Sequence, residues 1–304
     1  MRLERYRFAF RAMACENVVE LFATTPEQAT TAANAAIEEV RRIERKYSRY
    51  LKDSVVSQIN RASIADDRSA WTEVDEETTL LLDFAGSCFQ QSGGLFDITS
   101  GVLRRAWDFK SGTLPPSHAI ESLLPLVGWQ CVSRRDNAIQ FTRAGMEIDF
   151  GGFGKEYAAD RAAAVLLAHG VAHGFIDLGG DVVVTGPQQD GAAWSLGIRH
   201  PRNDGVVLET VAIASGAVAT SGDYERFMEI DGVRYCHILD PRSGRPVAGL
   251  QSVTVFAPSC LIAGAITTIA MLKGNRDGID WLGTVLTDGL RGLAVDQMGR
   301  IKRY

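Results

Sequence analysis

Residues 5–23 alternate between polar and apolar side chains and end in Val18-Val19-Glu20-Leu21-Phe22, the period-two pattern of a strand or hairpin arm. The period then changes. Thr25-Pro26-Glu27-Gln28 opens a helix: Thr25 is placed to cap it, Pro26 suits the first helical position, and Gln28 is placed to complete a capping box. Ala33, Ile37, Val40, Ile43 and Tyr47 follow at spacings of three and four, so one face of this helix is expected to be buried. A second helix is expected from an Asp75 cap through Leu80, Leu81, Phe84 and Cys88 to Gly93-Gly94.

The middle of the chain reads as strand, turn, helix, strand. Met146-Glu147-Ile148-Asp149-Phe150 predicts a short strand, Gly151-Gly152-Phe153-Gly154 a turn, and Lys155 to His169 a helix stopped by Gly170. Phe175 to Leu178 and Val182 to Thr185 are further strands about Gly179-Gly180. From residue 193 onward the pattern is mostly β. Asp231-Gly232 between apolar runs predicts a hairpin, and Val253 to Phe256 a strand. The last helix is expected from near Ser259 to Lys273, with Gly274 as its stop. With no repeat and no linker, a single intertwined α+β domain over residues 1–304 is favoured.

Composition narrows the function. The chain has 30 glycines in 304 residues, above the usual ~7%, and none precedes Gly86, so the later chain carries an excess of tight turns or close backbone approaches. A formal charge of -5 argues against a phosphate-neutralising nucleic-acid surface. The basic run Arg41-Arg42-Ile43-Glu44-Arg45-Lys46 is interleaved with Glu38, Glu39 and Glu44 and reads as a solvated helix face. The charged stretch from Met1 to Phe8 does not suit a signal peptide, and no apolar run approaches the ~20 residues of a membrane span. Five separated cysteines without a CxxC pair suit a reducing compartment, and a cytoplasmic location is the simplest expectation.

Gly151-Gly152-Phe153-Gly154 invites comparison with the dinucleotide fingerprint, but Tyr157 stands where that motif needs Gly or Ala. A turn ahead of a helix start with Lys155 in its first turn still makes a phosphate site, although an isolated glycine turn serves packing as readily. Four clusters set polar groups beside glycine or proline: Gly93-Gly94-Leu95-Phe96-Asp97, Asp177-Leu178-Gly179-Gly180-Asp181, Thr220-Ser221-Gly222-Asp223-Tyr224 and His237-Ile238-Leu239-Asp240-Pro241. Taken singly, each reads as a turn in which Asp bonds its own backbone. His118, His169, His173 and His200 sit in surface-like contexts, whereas His237 falls on a strand of the expected hairpin, a rigid seat for a base. No His/Cys spacing suits zinc, and the oxygen-rich clusters are compatible with Mg²⁺.

In order, these clusters resemble the ApbE-like FAD:protein FMN transferases. The resemblance runs through Ala12-Met13-Ala14-Cys15, Ser48-Arg49-Tyr50, Asp53-Ser54 to Ile59-Asn60, Gly93 to Thr99, Ile148 to Lys155, Asp177 to Asp181, Thr220 to Arg226 and His237 to Pro241. It implies a T-fold-like α+β domain with a mainly antiparallel sheet flanked by helices. It also implies binding of FAD and Mg²⁺ and transfer of FMN to a Ser or Thr hydroxyl of an acceptor flavoprotein, with release of AMP. By resemblance, Met13, Tyr50, Leu95, Phe96, Asp97, Asp149, Lys155 and Ile238 fall on flavin-nucleotide positions and His237 on the base that activates the acceptor. The Gly152 carbonyl and Thr268 fall on metal-binding positions.

One position departs from the pattern. The family's late helix opens Ala-Asp-Ala, with a Thr four residues after the Asp and both side chains on the metal; here the run is Ala263-Gly264-Ala265-Ile266-Thr267-Thr268. Three outcomes stay open: another acid substitutes, the metal leans on the pyrophosphate, or the protein binds flavin without efficient transfer. Hydrolysis of FAD to FMN and AMP and non-catalytic flavin binding are the competing functions, and Gly264→Asp is expected to raise Mg²⁺ affinity.

Overall fold

In the computed structural model, which describes residues 2–64 and 71–304, the chain builds one antiparallel eight-stranded sheet among the described residues. Met1 of the charged N-terminal stretch lies outside them. The sheet takes its strands in chain order: Glu4–Ala12, Cys15–Ala23, Gly174–Leu178, Asp181–Gly186, Gly216–Gly222, Leu250–Ala257, Arg291–Asp296 and Ile301–Arg303. Neighbours are hairpin partners or are separated by excursions that leave the sheet and return to its growing edge.

The helices are α1 (Pro26–Tyr47), α2 (Val55–Ala62), α3 (Glu76–Ser92), α4 (Ser117–Leu123), α5 (Gly154–Ala168), α6 (Cys260–Lys273) and α7 (Asn275–Val285). On one sheet face α1 packs on α5 and α5 on α6, and Ala29, Ala32, Ala33 and Ala36 of α1 are fully buried, which lets the helices approach closely. The other face is covered by the hairpin of Trp194–Arg199 with Val207–Ile213. Val182 and Val184 point to that hairpin while Val183 points to the helices, so the strand is buried on both faces.

The caps form as the sequence implies, with one change of partner. Thr25 accepts from the Gln28 N–H, but the Gln28 carboxamide bonds Thr24 rather than closing the box on Thr25. Asp75 caps α3 through the Thr78 N–H, and Gly93 and Gly94 end it in left-handed conformations. After α5 the Val171 and Gly170 N–H groups return to Leu166 and Leu167, a Schellman stop that needs the positive φ of Gly170.

Four expectations are corrected. Met146 to Phe150 forms no strand: its alternating burial is real, but the Asn60 carboxamide bonds both the N–H and the carbonyl of Ile148, taking the place of a neighbouring strand. The helix ending at Lys273 is not the last, because Gly274 turns the chain straight into α7. The basic run of α1 is not simply solvated: Arg42 and Lys46 both pair with Glu77 of α3, at 2.6 and 2.5 Å, and stitch the two helices together. The expected hairpin strand Val233–Cys236 stops one residue short of His237.

Candidate active site

The hairpin turn at Met13-Ala14, between the strands Glu4–Ala12 and Cys15–Ala23, is the first unusual feature. Both residues have positive φ (54° and 61°), the geometry of a tight two-residue hairpin that normally recruits Asn or Gly. The Met13 N–H donates to the Glu44 carboxylate of α1 at 2.7 Å, which helps hold the strained turn. Directly behind it, a Cβ on Gly179 would meet Cys15 Sγ at 3.0 Å, so this glycine (φ +64°) is required by contact as well as by conformation.

Lys155, in the first turn of α5, reaches Asp181 with Nζ···Oδ2 at 2.7 Å. Desolvation opposes its charge, but Asp181 and Glu156 outweigh that and hold the ammonium above its ordinary range. Phe153 offers α5 no side-chain cap, and the acid in the first turn of the helix is Glu156. Beside it Gly152 lies against Phe96, whose ring stacks on Phe153 at 6.1 Å, and a Cβ there would press on Phe96 Cζ at 3.2 Å.

His237 continues the hairpin backbone, its N–H donating to the Arg226 carbonyl at 2.9 Å. Its ring Nδ1 also lies 3.1 Å from that carbonyl, so Nδ1–H is the donor and Nε2 keeps its lone pair. Desolvation, then the charges of Arg104 and Arg226, push the imidazole down to about 4, so it is neutral at pH 7. Lys155 acts on it in the same direction. Arg104 meanwhile pairs with Asp149 at 3.4 Å, and Asp149 pairs with Arg49 at 3.1 Å. Asp149 is thus a charge partner between two arginines.

The turn reading of the Asp clusters holds alongside any ligand role. Asp97 accepts from the Thr99 N–H, Asp177 from Gly180 and Asp240 from Arg242. Asp97 is only 7% exposed and also accepts from the Thr99 hydroxyl and the Trp129 N–H, so its carboxylate is committed to the fold. Leu95 and Phe96 are buried and Ile238 is half-buried against the same core. Tyr50 is 80% exposed, on a depression of about 220 Å³ that also holds Arg49, Asn60 and Glu147, and Arg49 links this depression to Asp149. His173 and His200 are engaged in loops, with the Pro187 carbonyl and with the backbone of Arg202 and Asn203.

On α6, Thr268 shares the Ser221 hydroxyl with Thr267, at 3.2 and 2.9 Å. Gly264, one turn earlier, is buried, and a Cβ there would lie 2.5 Å from Glu156 Cγ and 2.9 Å from its Oε1. Glu156 of α5 is nine-tenths buried, and its Oε2 has no hydrogen-bond partner. Burial, with the nearby Asp181 charge, pushes this carboxyl up to about 8. Sequence reasoning missed Glu156 and Arg104, and it quoted Asp181 and Arg226 only as members of motifs, without a role. Nothing in local pattern marks Arg104, whereas Glu156 follows the singled-out Lys155 directly.

The ApbE family model matches residues 13–291 of this chain. An FAD:protein FMN transferase of Treponema pallidum is 32% identical over 264 residues, covering 79% of this chain and 72% of that protein. One from Vibrio cholerae is 29% identical over 238 residues, covering 76% and 70%. Among solved structures, the ApbE protein of Thermotoga maritima aligns with a TM-score of 0.90 at 34% identity, covering 99% of this chain and 97% of that one. The flavin transferase ApbE of Vibrio cholerae shares the fold, with a TM-score of 0.86 at 24% identity over 100% of this chain and 97% of that one.

Proposed function

The chain belongs to the ApbE family and is an enzyme of flavin transfer, and we propose that it moves the FMN half of FAD onto a Ser or Thr hydroxyl of an acceptor flavoprotein. In this step the acceptor oxygen bonds the FMN phosphorus, the anhydride bond of FAD breaks, and AMP leaves. The proton of the acceptor hydroxyl passes to His237 Nε2. The observation that carries the reading is this imidazole: it is neutral, fixed through Nδ1, and set among Arg104, Arg226 and Lys155, which favour an anionic substrate. Binding the negative pyrophosphate beside it raises its proton affinity when the base is needed.

Lys155, the uncapped start of α5 and the glycine turns at Gly152 and Gly179 supply charge and close backbone approach for the nucleotide. Phe96 shapes the wall at Gly152, while Asp97 positions Leu95 and Phe96 by tying their loop to Trp129. Met13 presents its strained turn beside Gly179, and Asp149 sets Arg49 and Arg104. Tyr50 stands at the exposed margin and serves as an edge contact.

Mg²⁺ fits this neighbourhood. Hard oxygen donors are present in the Thr268 hydroxyl and the Gly152 carbonyl, and a buried carboxylate oxygen lacks a partner where α5 meets α6. When bound, Mg²⁺ would neutralise charge on the pyrophosphate.

The reading takes residues 1–304 as one domain, since the first and last strands belong to one sheet. Its acceptor is a protein and not a nucleic acid, in keeping with the net charge of -5. No helix among the described residues is long and apolar enough to cross a membrane. The free Cys15, Cys88, Cys131, Cys236 and Cys260 suit action in the cytoplasm. The test is His237→Ala: flavin transfer is expected to be abolished while FAD affinity stays within about three-fold, equivalent to less than ~0.7 kcal/mol. Equal loss of binding and transfer would show that His237 is structural.

A further inference from the structure

The arrangement at Gly264 assigns a role to a residue of the neighbouring helix. We propose that Glu156 supplies the carboxylate ligand of the Mg²⁺ site, projecting from α5 into the space that a side chain at position 264 of α6 would otherwise fill. The proposal rests on the flavin-transfer reading only in that FAD shares the metal.

Three observations carry it. First, the Glu156 side chain lies against Gly264 so closely that a Cβ there would sit 2.5 Å from Cγ, 2.9 Å from Oε1 and 3.0 Å from Cδ. Real Cβ atoms do not approach so near; the carboxylate occupies the volume that belongs to a side chain on α6. Second, Glu156 is nine-tenths buried, yet Oε2 has no hydrogen-bond partner. A buried carboxylate oxygen left unpaired is expensive, and such an oxygen points to a partner such as an ion. Third, the neighbouring ammonium, that of Lys155, is engaged by Asp181 at 2.7 Å. The other nearby acid, Asp160, is occupied in capping α6 through the Cys260 and Leu261 N–H groups.

Helical spacing completes the set. Thr268 lies four residues after Gly264 and therefore on the same face of α6, one turn along. Gly152 lies four residues before Glu156, at the approach to α5. The hydroxyl thus comes from α6, the carboxylate from the first turn of α5 packed against it, and the carbonyl from the turn that leads into α5. The longer arm of Glu reaches across the helix interface from α5 and delivers a carboxylate against α6. This also changes the expectation for Gly264→Asp: alone, it collides with Glu156 and brings a second carboxylate into its volume.

The test titrates Mn²⁺, an EPR-visible stand-in for Mg²⁺, into the full chain with saturating FAD and reads free metal. FAD affinity is measured separately by fluorescence. The wild type is expected to take up one Mn²⁺ per chain, displaced by Mg²⁺. Glu156→Gln keeps the shape and is expected to weaken Mn²⁺ binding by at least ~10-fold, no less than loss of an outer-shell partner costs. Gly264→Asp alone is expected not to strengthen it, whereas Glu156→Ala combined with Gly264→Asp restores affinity to within about ten-fold of wild type. Unchanged Mn²⁺ affinity in a folded Glu156→Gln protein would overturn the proposal, as would a wild type that binds FAD but takes up no metal. Failure to bind FAD at all would instead overturn the flavin-transfer reading.

Discussion

Replacing Asp97 separates a carboxylate that builds the site from one that touches the nucleotide. Its Oδ1 accepts from the Thr99 N–H at 2.8 Å and the Thr99 hydroxyl at 2.6 Å, and its Oδ2 from the Trp129 N–H at 2.9 Å. The Thr99 hydroxyl in turn accepts from the Gly128 N–H at 2.7 Å. Asp97→Ala removes the cap of the short 3₁₀ helix Ile98–Arg105, worth about 1 kcal/mol. It also orphans the Trp129 N–H and the Thr99 hydroxyl, at about 1–3 kcal/mol each. A loss near 4 kcal/mol is expected. Asp97→Asn keeps the Thr99 bonds but turns an NH₂ group toward the Trp129 N–H. Burial raises the Asp97 pKa, so neutralising the group recovers part of its desolvation, and about 2 kcal/mol is the expected net cost. With an unfolding entropy near 2.1 cal/mol/K per residue, a 304-residue chain should lose about 6 °C in Tm for Ala and about 3 °C for Asn. The assay is calorimetry with FAD titration of the folded variants, in which Asp97→Asn should alter FAD affinity by less than about three-fold. An unchanged Tm with FAD binding abolished would refute the reasoning and return Asp97 to direct contact.

Two more outcomes follow from the charges. Because the free-enzyme His237 is pushed down to about 4, kcat/KM at saturating Mg²⁺ should show no acid limb centred near 6.5; such a limb, absent from the Mg²⁺ titration, would contradict that environment. The same shift makes native stability full above the unfolded pKa of 6.5 and progressively lost toward 4, and His237→Gln should flatten that slope in urea titrations at pH 5 and 7. Lys155→Met leaves the buried Asp181 carboxylate unpaired and should cost about 3 kcal/mol in urea unfolding, with adding Asp181→Asn recovering most of it; simple additivity of the two would show that the pair is uncoupled.

The helix caps and the glycine stops were legible because their chemistry is local: Thr25, Asp75, Ser259 and Gly170 act on groups within four residues. Hidden were features set by distant chain. Asn60 holds residues 146–150 extended from 88 positions away, so an alternating pattern reads as a strand that has no strand partner. The exchange at Gly264 was half visible. A missing acid is apparent from motif order, but its substitute sits on another helix, over a hundred residues earlier, and only packing reveals it. Asp97 shows the converse: a motif residue whose carboxylate serves the fold.

The central claim is transfer of FMN to a protein hydroxyl, and intact-mass spectrometry of candidate Ser- or Thr-bearing flavoprotein acceptors, with AMP quantified in the same reaction of enzyme, FAD and Mg²⁺, tests it most directly. One covalently attached FMN per AMP released is the expected result. AMP released with no flavin on any acceptor would mean that water is the acceptor, and neither product across a broad panel would mean that the protein binds flavin without transferring it.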